Sequence, residues 1–153
     1  MGNTYSQLHI QFVWAVKFRQ ALIHNSWKDE LYRYITGIVK KQGHKMLQIN
    51  GMPDHIHAFI GMRPNQSVAS LAQIMKSESS EWINNNNLCK STFRWQNGYG
   101  AFSYSKSDIP NVIRYIKNQT AHHQKVRFLD EYCGMLKSFG IEYDEKYIFT
   151  EPV

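Results

Sequence analysis

The apolar residues of this chain change period in a fixed order, and that order limits the folds open to it. From Ser6 to Val16, Leu8, Ile10, Phe12 and Trp14 alternate with their neighbours, the period-two pattern of a strand. Trp27, Leu31, Tyr34, Ile35, Ile38 and Val39 then fall on one helical stripe that starts near Ser26 and stops at Gly43. Strands are expected at 45–50 and 55–61, joined through Gly51-Met52-Pro53-Asp54, whose residues supply hairpin turn chemistry. A second helix, from about Ser67 to Ile83, buries Val68, Leu71, Ala72, Met75, Ser79, Trp82 and Ile83, and residues 98–105 form a fourth strand. A third helix runs from about Asp108 to Gln124, with Pro110 tolerable in its first turn, and a last one ends near Gly140. Strand-helix-strand-strand-helix-strand is the split βαβ order. The expected fold class is therefore α+β: a ferredoxin-like (RRM-like) antiparallel sheet with helices on one face and extra C-terminal helices. The second face of the sheet is expected to stay open for a partner or ligand.

A chain of 153 residues fits one domain, and 42% hydrophobic residues suffice for a real core. No apolar run approaches the roughly 20 residues of a membrane span, and the start lacks the pattern of a signal peptide, so a soluble, cytoplasmic protein is expected. Cys89 and Cys133 lie far apart and read as reduced thiols. The net charge of +6 is unevenly spread: residues 1–127 carry sixteen Lys and Arg against six Asp and Glu, whereas residues 128–153 carry two against six. A basic body with an acidic tail suggests a polyanionic partner, most simply nucleic acid.

Two local patterns carry chemistry. In Pro53-Asp54-His55-Ile56-His57-Ala58-Phe59-Ile60, a strand places His55 and His57 on one face and Ile56 and Ala58 on the other, so two imidazoles can share one divalent metal. In Tyr115-Ile116-Lys117-Asn118-Gln119, a helix places Tyr115 and Gln119 one turn apart at the border of the face anchored by Val112, Ile113 and Ile116. An ordinary tyrosine has a pKa near 10, so only about one part in a thousand is phenolate at neutral pH, and attack on a phosphodiester needs a Lewis acid. Two His and a Gln amide oxygen are neutral ligands that leave such an ion its full charge. Mg²⁺ prefers oxygen and Mn²⁺ accepts imidazole more readily. A structural zinc site would want four closed ligands, and neither cysteine is placed for one.

These segments bear a family likeness. PDHIHAFI resembles the HUH (His-hydrophobe-His) signature of the single-tyrosine transposases of the smallest bacterial insertion sequences, relatives of the REP-associated transposases. HIQFVWAVKFR, FRWQNGYGAFSYS, VIRYIKNQTAHH and FGIEYDEKYIF extend the likeness, in the family's order, over roughly residues 7–149. The resemblance implies a single transposase domain over residues 1–153. In it His55 and His57 hold the metal (Mg²⁺ or Mn²⁺), Gln119 is the third ligand and Tyr115 is the nucleophile. It implies cleavage of single-stranded DNA through a 5′-phosphotyrosine, recognition of hairpins near the element ends, and work as a homodimer in which one subunit's tyrosine helix completes its partner's site. A nucleoid-associated location follows, with no membrane and no small-molecule substrate. His122 and His123 occupy a family-typical position; a structural or DNA-contacting role is expected of them, since the three-ligand set is already filled.

Lys17, Arg19, Lys76, Arg94 and Lys106 flank the expected site and are plausible phosphate partners, and Trp95, Tyr99 and Phe102 could stack unpaired bases. Two rival readings stay open on sequence alone. A non-catalytic RRM-like binding module shares the charge and the sheet; a relaxase or replication-initiator nickase shares the chemistry.

Overall fold

The computed structural model describes residues 4–123 and 126–143; the tail motif of the family likeness lies outside them from residue 144 on. Among the described residues, β1 (Leu8–Ala15), β2 (Lys45–Met52), β3 (His55–Met62) and β4 (Gly100–Tyr104) form one sheet in the order β2-β3-β1-β4, every neighbour antiparallel. This is the ferredoxin-like arrangement that the split βαβ order specifies. Helices α1 (Lys28–Lys41) and α2 (Val68–Asn85) cover one face. The even positions of β1, Phe12 and Trp14, point there with Ile56, Ala58 and Ile60 of β3, and meet Leu31, Ile35, Leu71 and Met75. Removing each such side chain from water contributes about 1.5–3 kcal/mol. Ser67 caps α2 by accepting the Ser70 amide at 3.0 Å, and Gly43 at φ +91° ends the turn after α1.

The second face is not open. Helices α3 (Ile109–Lys117), α4 (Gln119–His123) and α5 (Phe128–Ser138) roof it. Val13, Ala15 and Phe102 pack against Phe128, Tyr132 and Leu136, while Phe59 packs against Val112 and Ile116. Both faces of β1 and β3 are therefore largely buried, which is why β1 alternates less cleanly than a half-exposed strand would.

Three local expectations shift. Tyr34 is on the exposed side of α1, stacked on Trp82 at 5.2 Å, and Tyr32 takes the buried place. The expected third helix breaks at Asn118, whose ψ of +21° leaves the helical range, so it becomes α3 and α4. The β2–β3 hairpin is tighter than the four-residue turn suggested, because Gly51 and Met52 still pair with Ile56 and His55 and only Pro53 and Asp54 turn. That closeness needs a glycine: a Cβ at position 51 would lie 2.2 Å from the His55 carbonyl oxygen. Gly51→Ala is expected to destabilise the fold by roughly 1–3 kcal/mol through forced backbone displacement. Urea unfolding checks this, and an unchanged midpoint would contradict it.

Candidate active site

The hairpin delivers His55 and His57 side by side on the face roofed by α3–α5, with ring centroids 5.2 Å apart and neither residue exposed. Each ring is oriented through its far nitrogen. Nδ1 of His55 lies 2.7 Å from the Asp54 carboxylate, and Nδ1 of His57 lies 2.7 Å from the amide oxygen of Gln11, whose NH₂ donates to the Tyr104 hydroxyl. His123 on α4 repeats the device, with Nδ1 2.8 Å from the Val126 carbonyl oxygen. A carbonyl or carboxylate oxygen can only accept, so the proton of each neutral ring sits on Nδ1 and the Nε2 lone pair faces inward.

The three Nε2 atoms converge on oxygens that also have only lone pairs to offer. Gln119 Oε1 is 3.3 Å from His55 Nε2 and 3.0 Å from His123 Nε2. Glu131 Oε1 is 3.2 Å from His57 Nε2, 3.2 Å from His123 Nε2 and 3.8 Å from His55 Nε2. Gln119 keeps its amide directed by donating from Nε2 to Glu131 Oε2 at 3.3 Å. Acceptors facing one another in a buried pocket repel unless a cation lies between them. The donor set therefore fits a divalent ion, and ligand atoms of His55, His57, His123 and Glu131 all lie within 4.8 Å of one another. Tyr115 belongs to the same cluster: its hydroxyl donates to the other oxygen of Glu131, and its ring stands edge-on to His57 at 5.8 Å. His122, with Nε2 3.0 Å from Glu131 Oε2, closes the outer side. A cavity of about 510 Å³ between α3 and α5 opens beside Tyr115.

Backbone placement explains the meeting. Asn50 of β2 donates from Nδ2 to the Ile116 and Lys117 carbonyls at 3.0 and 3.2 Å, satisfying the end of α3 where the helix breaks. It pins the Tyr115–Gln119 turn to the strand that pairs with the histidine strand. Within one chain Tyr115 thus stands beside the same cluster as His57 and Glu131. Phe128 at the start of α5 stacks on His55 at 3.8 Å and seats Glu131 one turn later.

Burial lowers the His57 pKa, against the pull of Glu131, and burial together with His55 lowers that of His123 to about 4. Burial also lowers His122. At Asp54 burial pushes upward, but the hydrogen bond from His55 and the charge and hydrogen bond of Arg19 outweigh it and hold the carboxyl below the usual range.

The basic residues divide. Arg19 is 5% exposed; its guanidinium pairs with Asp54 at 3.2 Å and lies over the Phe128 ring at 5.0 Å, so it steadies the carboxylate that orients His55 instead of facing a DNA backbone. Phe18 and Arg19 take left-handed backbone angles in the 3-10 turn that brings this side chain in. Lys76 donates to the Gln96 and Gly98 carbonyls at 2.8 and 2.9 Å and ties down the loop before β4. Lys17, Arg94 and Lys106 are exposed. Of the aromatics, Trp95 and Phe102 are core residues, Trp95 donating to Ser79 Oγ at 2.9 Å, and Tyr99 packs against Phe12; none forms a base-stacking platform.

Glu131, His123, Gln11 and Asn50 were not expected in these places. One signal pointed to Glu131: it lies on the stripe Phe128, Tyr132, Leu136, and a carboxylate on an apolar stripe needs a buried partner.

The family described as "Transposase IS200 like" matches residues 4–119. The chain belongs to the IS200-like transposases. A curated relative, the ISDra2 transposase TnpA of Deinococcus radiodurans, is 23% identical over 129 residues, covering 77% of this chain and 87% of that protein. Two solved structures share the fold. A crystal structure described as a candidate transposase of Deinococcus radiodurans R1 superposes with a TM-score of 0.63 at 22% identity, covering 78% of this transposase and 96% of that chain. A REP-associated tyrosine transposase bound to a REP hairpin superposes with a TM-score of 0.61 at 13% identity, covering 100% and 97%. Among the described residues, no helix is long and apolar enough to cross a membrane.

The lowered histidines set a pH dependence for the metal-free transposase. The unfolded chain takes up protons on these rings as pH falls below 6.5, the folded chain only nearer 4 at His123. Their contribution is therefore level above pH 6.5, and stability falls as pH drops from there towards about 4. Urea titrations in EDTA across that window should show a steadily falling midpoint; a constant one would contradict the assignment of neutral rings.

Proposed function

We propose that this transposase nicks and rejoins single-stranded DNA through a 5′-phosphotyrosine at Tyr115, with Mg²⁺ or Mn²⁺ held by His55, His57 and Gln119. The observation that carries this reading is the convergence of inward lone pairs on a buried point beside the Tyr115 hydroxyl. When bound, the divalent ion supplies Lewis-acid stabilisation of charge on the scissile phosphate. The chain's own groups do the rest. The phenol oxygen of Tyr115 forms the bond to phosphorus, the bond to the 3′ oxygen breaks, and that oxygen leaves as a hydroxyl. The Tyr115 hydroxyl donates a hydrogen bond to the Glu131 carboxylate, which takes the proton as the bond to phosphorus forms and returns it to the departing 3′ oxygen. Rejoining reverses these bonds with a 3′ hydroxyl as attacker, so no nucleotide cofactor is consumed.

Hairpin DNA near the element ends is the proposed substrate, supported by the hairpin carried by the REP-associated relative and by the exposed Lys17, Arg94 and Lys106. One nucleophilic tyrosine per chain means that cutting two ends takes two chains, which a homodimer would bring together, each with its site complete. The non-catalytic RRM-like reading needs an open sheet face bearing aromatics, and α3–α5 roof that face.

The test is a labelled single strand carrying a subterminal hairpin, incubated with Mn²⁺ and resolved under denaturing conditions. Wild type should give a protein–DNA band that Tyr115→Phe and His57→Ala both lose, while His57→Ala keeps hairpin binding. Gln119→Ala should lose less activity than either histidine change. A band persisting in Tyr115→Phe would rule out this nucleophile.

A further inference from the structure

The metal reading above leaves His123 without a task and uses Glu131 only towards Tyr115, yet both aim ligand atoms at the same point as His55 and His57. We propose that the resting site holds its ion in a closed four-ligand set of the Nε2 atoms of His55, His57 and His123 and the Glu131 carboxylate, so that α5 supplies a ligand that the DNA phosphate must displace.

Three observations carry this inference, which rests on the metal reading of the same site. First, the Glu131 carboxylate stands at near-ligand spacing from each imidazole, and all four ligand atoms lie within 4.8 Å of one another. Four ligands about 2.0–2.1 Å from a tetrahedral ion lie about 3.3–3.4 Å apart. Glu131 Oε1 stands 3.2, 3.2 and 3.8 Å from the Nε2 atoms of His57, His123 and His55. Secondly, each imidazole is oriented alike, its Nδ1 held by Asp54, Gln11 or Val126 so that Nε2 faces the common point. Thirdly, His55, His57 and Gln119 have no exposed surface, and the lining of the cavity leading to Tyr115 includes Asp108, Asp130 and Glu131, whose charges repel a phosphate.

The Tyr115 side of the site is covered by α5, fixed by Phe128 on His55 and by Tyr132 against β4 so closely that a Cβ at Gly100 would lie 2.8 Å from the Tyr132 ring. Release of Glu131 Oε1 from the ion would do two things together, with Oε2 still accepting from the Tyr115 hydroxyl. It vacates a position beside the ion and removes a carboxylate ligand that neutralises half the charge of a divalent cation. Gln119, whose Oε1 already lies between His55 and His123, is then the neutral replacement ligand. Three imidazoles and one carboxylate in tetrahedral array suit Zn²⁺ and Co²⁺, whereas the open set suits Mn²⁺ or Mg²⁺.

The test uses the full chain stripped with EDTA and given one equivalent of Co²⁺. Wild type should show the intense visible absorption of four-coordinate Co²⁺. It should also show three strongly shifted imidazole N–H proton resonances that vanish in D₂O, one for each of His55, His57 and His123. A weak six-coordinate spectrum, or two such resonances, would overturn the proposal without variants. Glu131→Gln and His123→Ala should each weaken Co²⁺ binding by ~10-fold or more, while Asp130→Asn, on the exposed side of the same helix turn, should not. Equal binding by all of these variants would also overturn it. If wild type is six-coordinate yet still forms the Tyr115 adduct, only the closed set fails. If it takes up no metal and forms no adduct, the proposed function fails with it.

Discussion

Two imidazoles without solvent access, beside a buried carboxylate, make an expensive arrangement unless every polar atom has somewhere to go. Here the far nitrogens are satisfied one by one: His55 by Asp54, His57 by Gln11, His123 by the Val126 carbonyl. That choice fixes the tautomers and leaves the near nitrogens with lone pairs and nothing to donate. The fold serves this geometry. β1 and β3, buried on both faces, form a rigid floor; α1 and α2 fill the underside; α3–α5 form a roof that carries Tyr115, Gln119 and Glu131 down onto the histidines.

The supporting residues show how the site is kept rigid. Arg19 steadies Asp54 from one side, and Tyr104 steadies Gln11 from the other. Asn50 substitutes for the hydrogen bonds lost where α3 gives way to α4, so the break that separates Tyr115 from Gln119 is held in place. None of these side chains meets the reacting atoms, and each acts through a neighbour that does.

The sequence made one part of this legible and hid another. Period-two alternation was enough to place His55 and His57 on one face and Ile56 and Ala58 on the other, and one helical turn was enough to bring Tyr115 close to Gln119. The order of strands and helices was enough to specify the sheet. These features depend on local periodicity, which a chain carries in the order of its residues. The roof on the second face could not be read this way, because docking of α5 depends on contacts between Phe128 or Tyr132 and residues thirty or more positions away, Phe128 with His55 and Tyr132 with Phe102. Glu131 and Asn50 shared that fate. Arg19 and Lys76 misled for a related reason: charge in a sequence says nothing of whether a guanidinium or ammonium will find an internal acceptor.

The central claim is that a single chain brings the imidazole pair and its own phenol to one ion. Mixing two inactive variants tests it most directly. Chains carrying His57→Ala and chains carrying Tyr115→Phe are combined, allowed to assemble and assayed for the covalent DNA adduct. A site completed within each chain gives no adduct from the mixture. Recovery of adduct in the mixture would mean that the tyrosine of one chain serves the histidines of another, and would contradict the arrangement described.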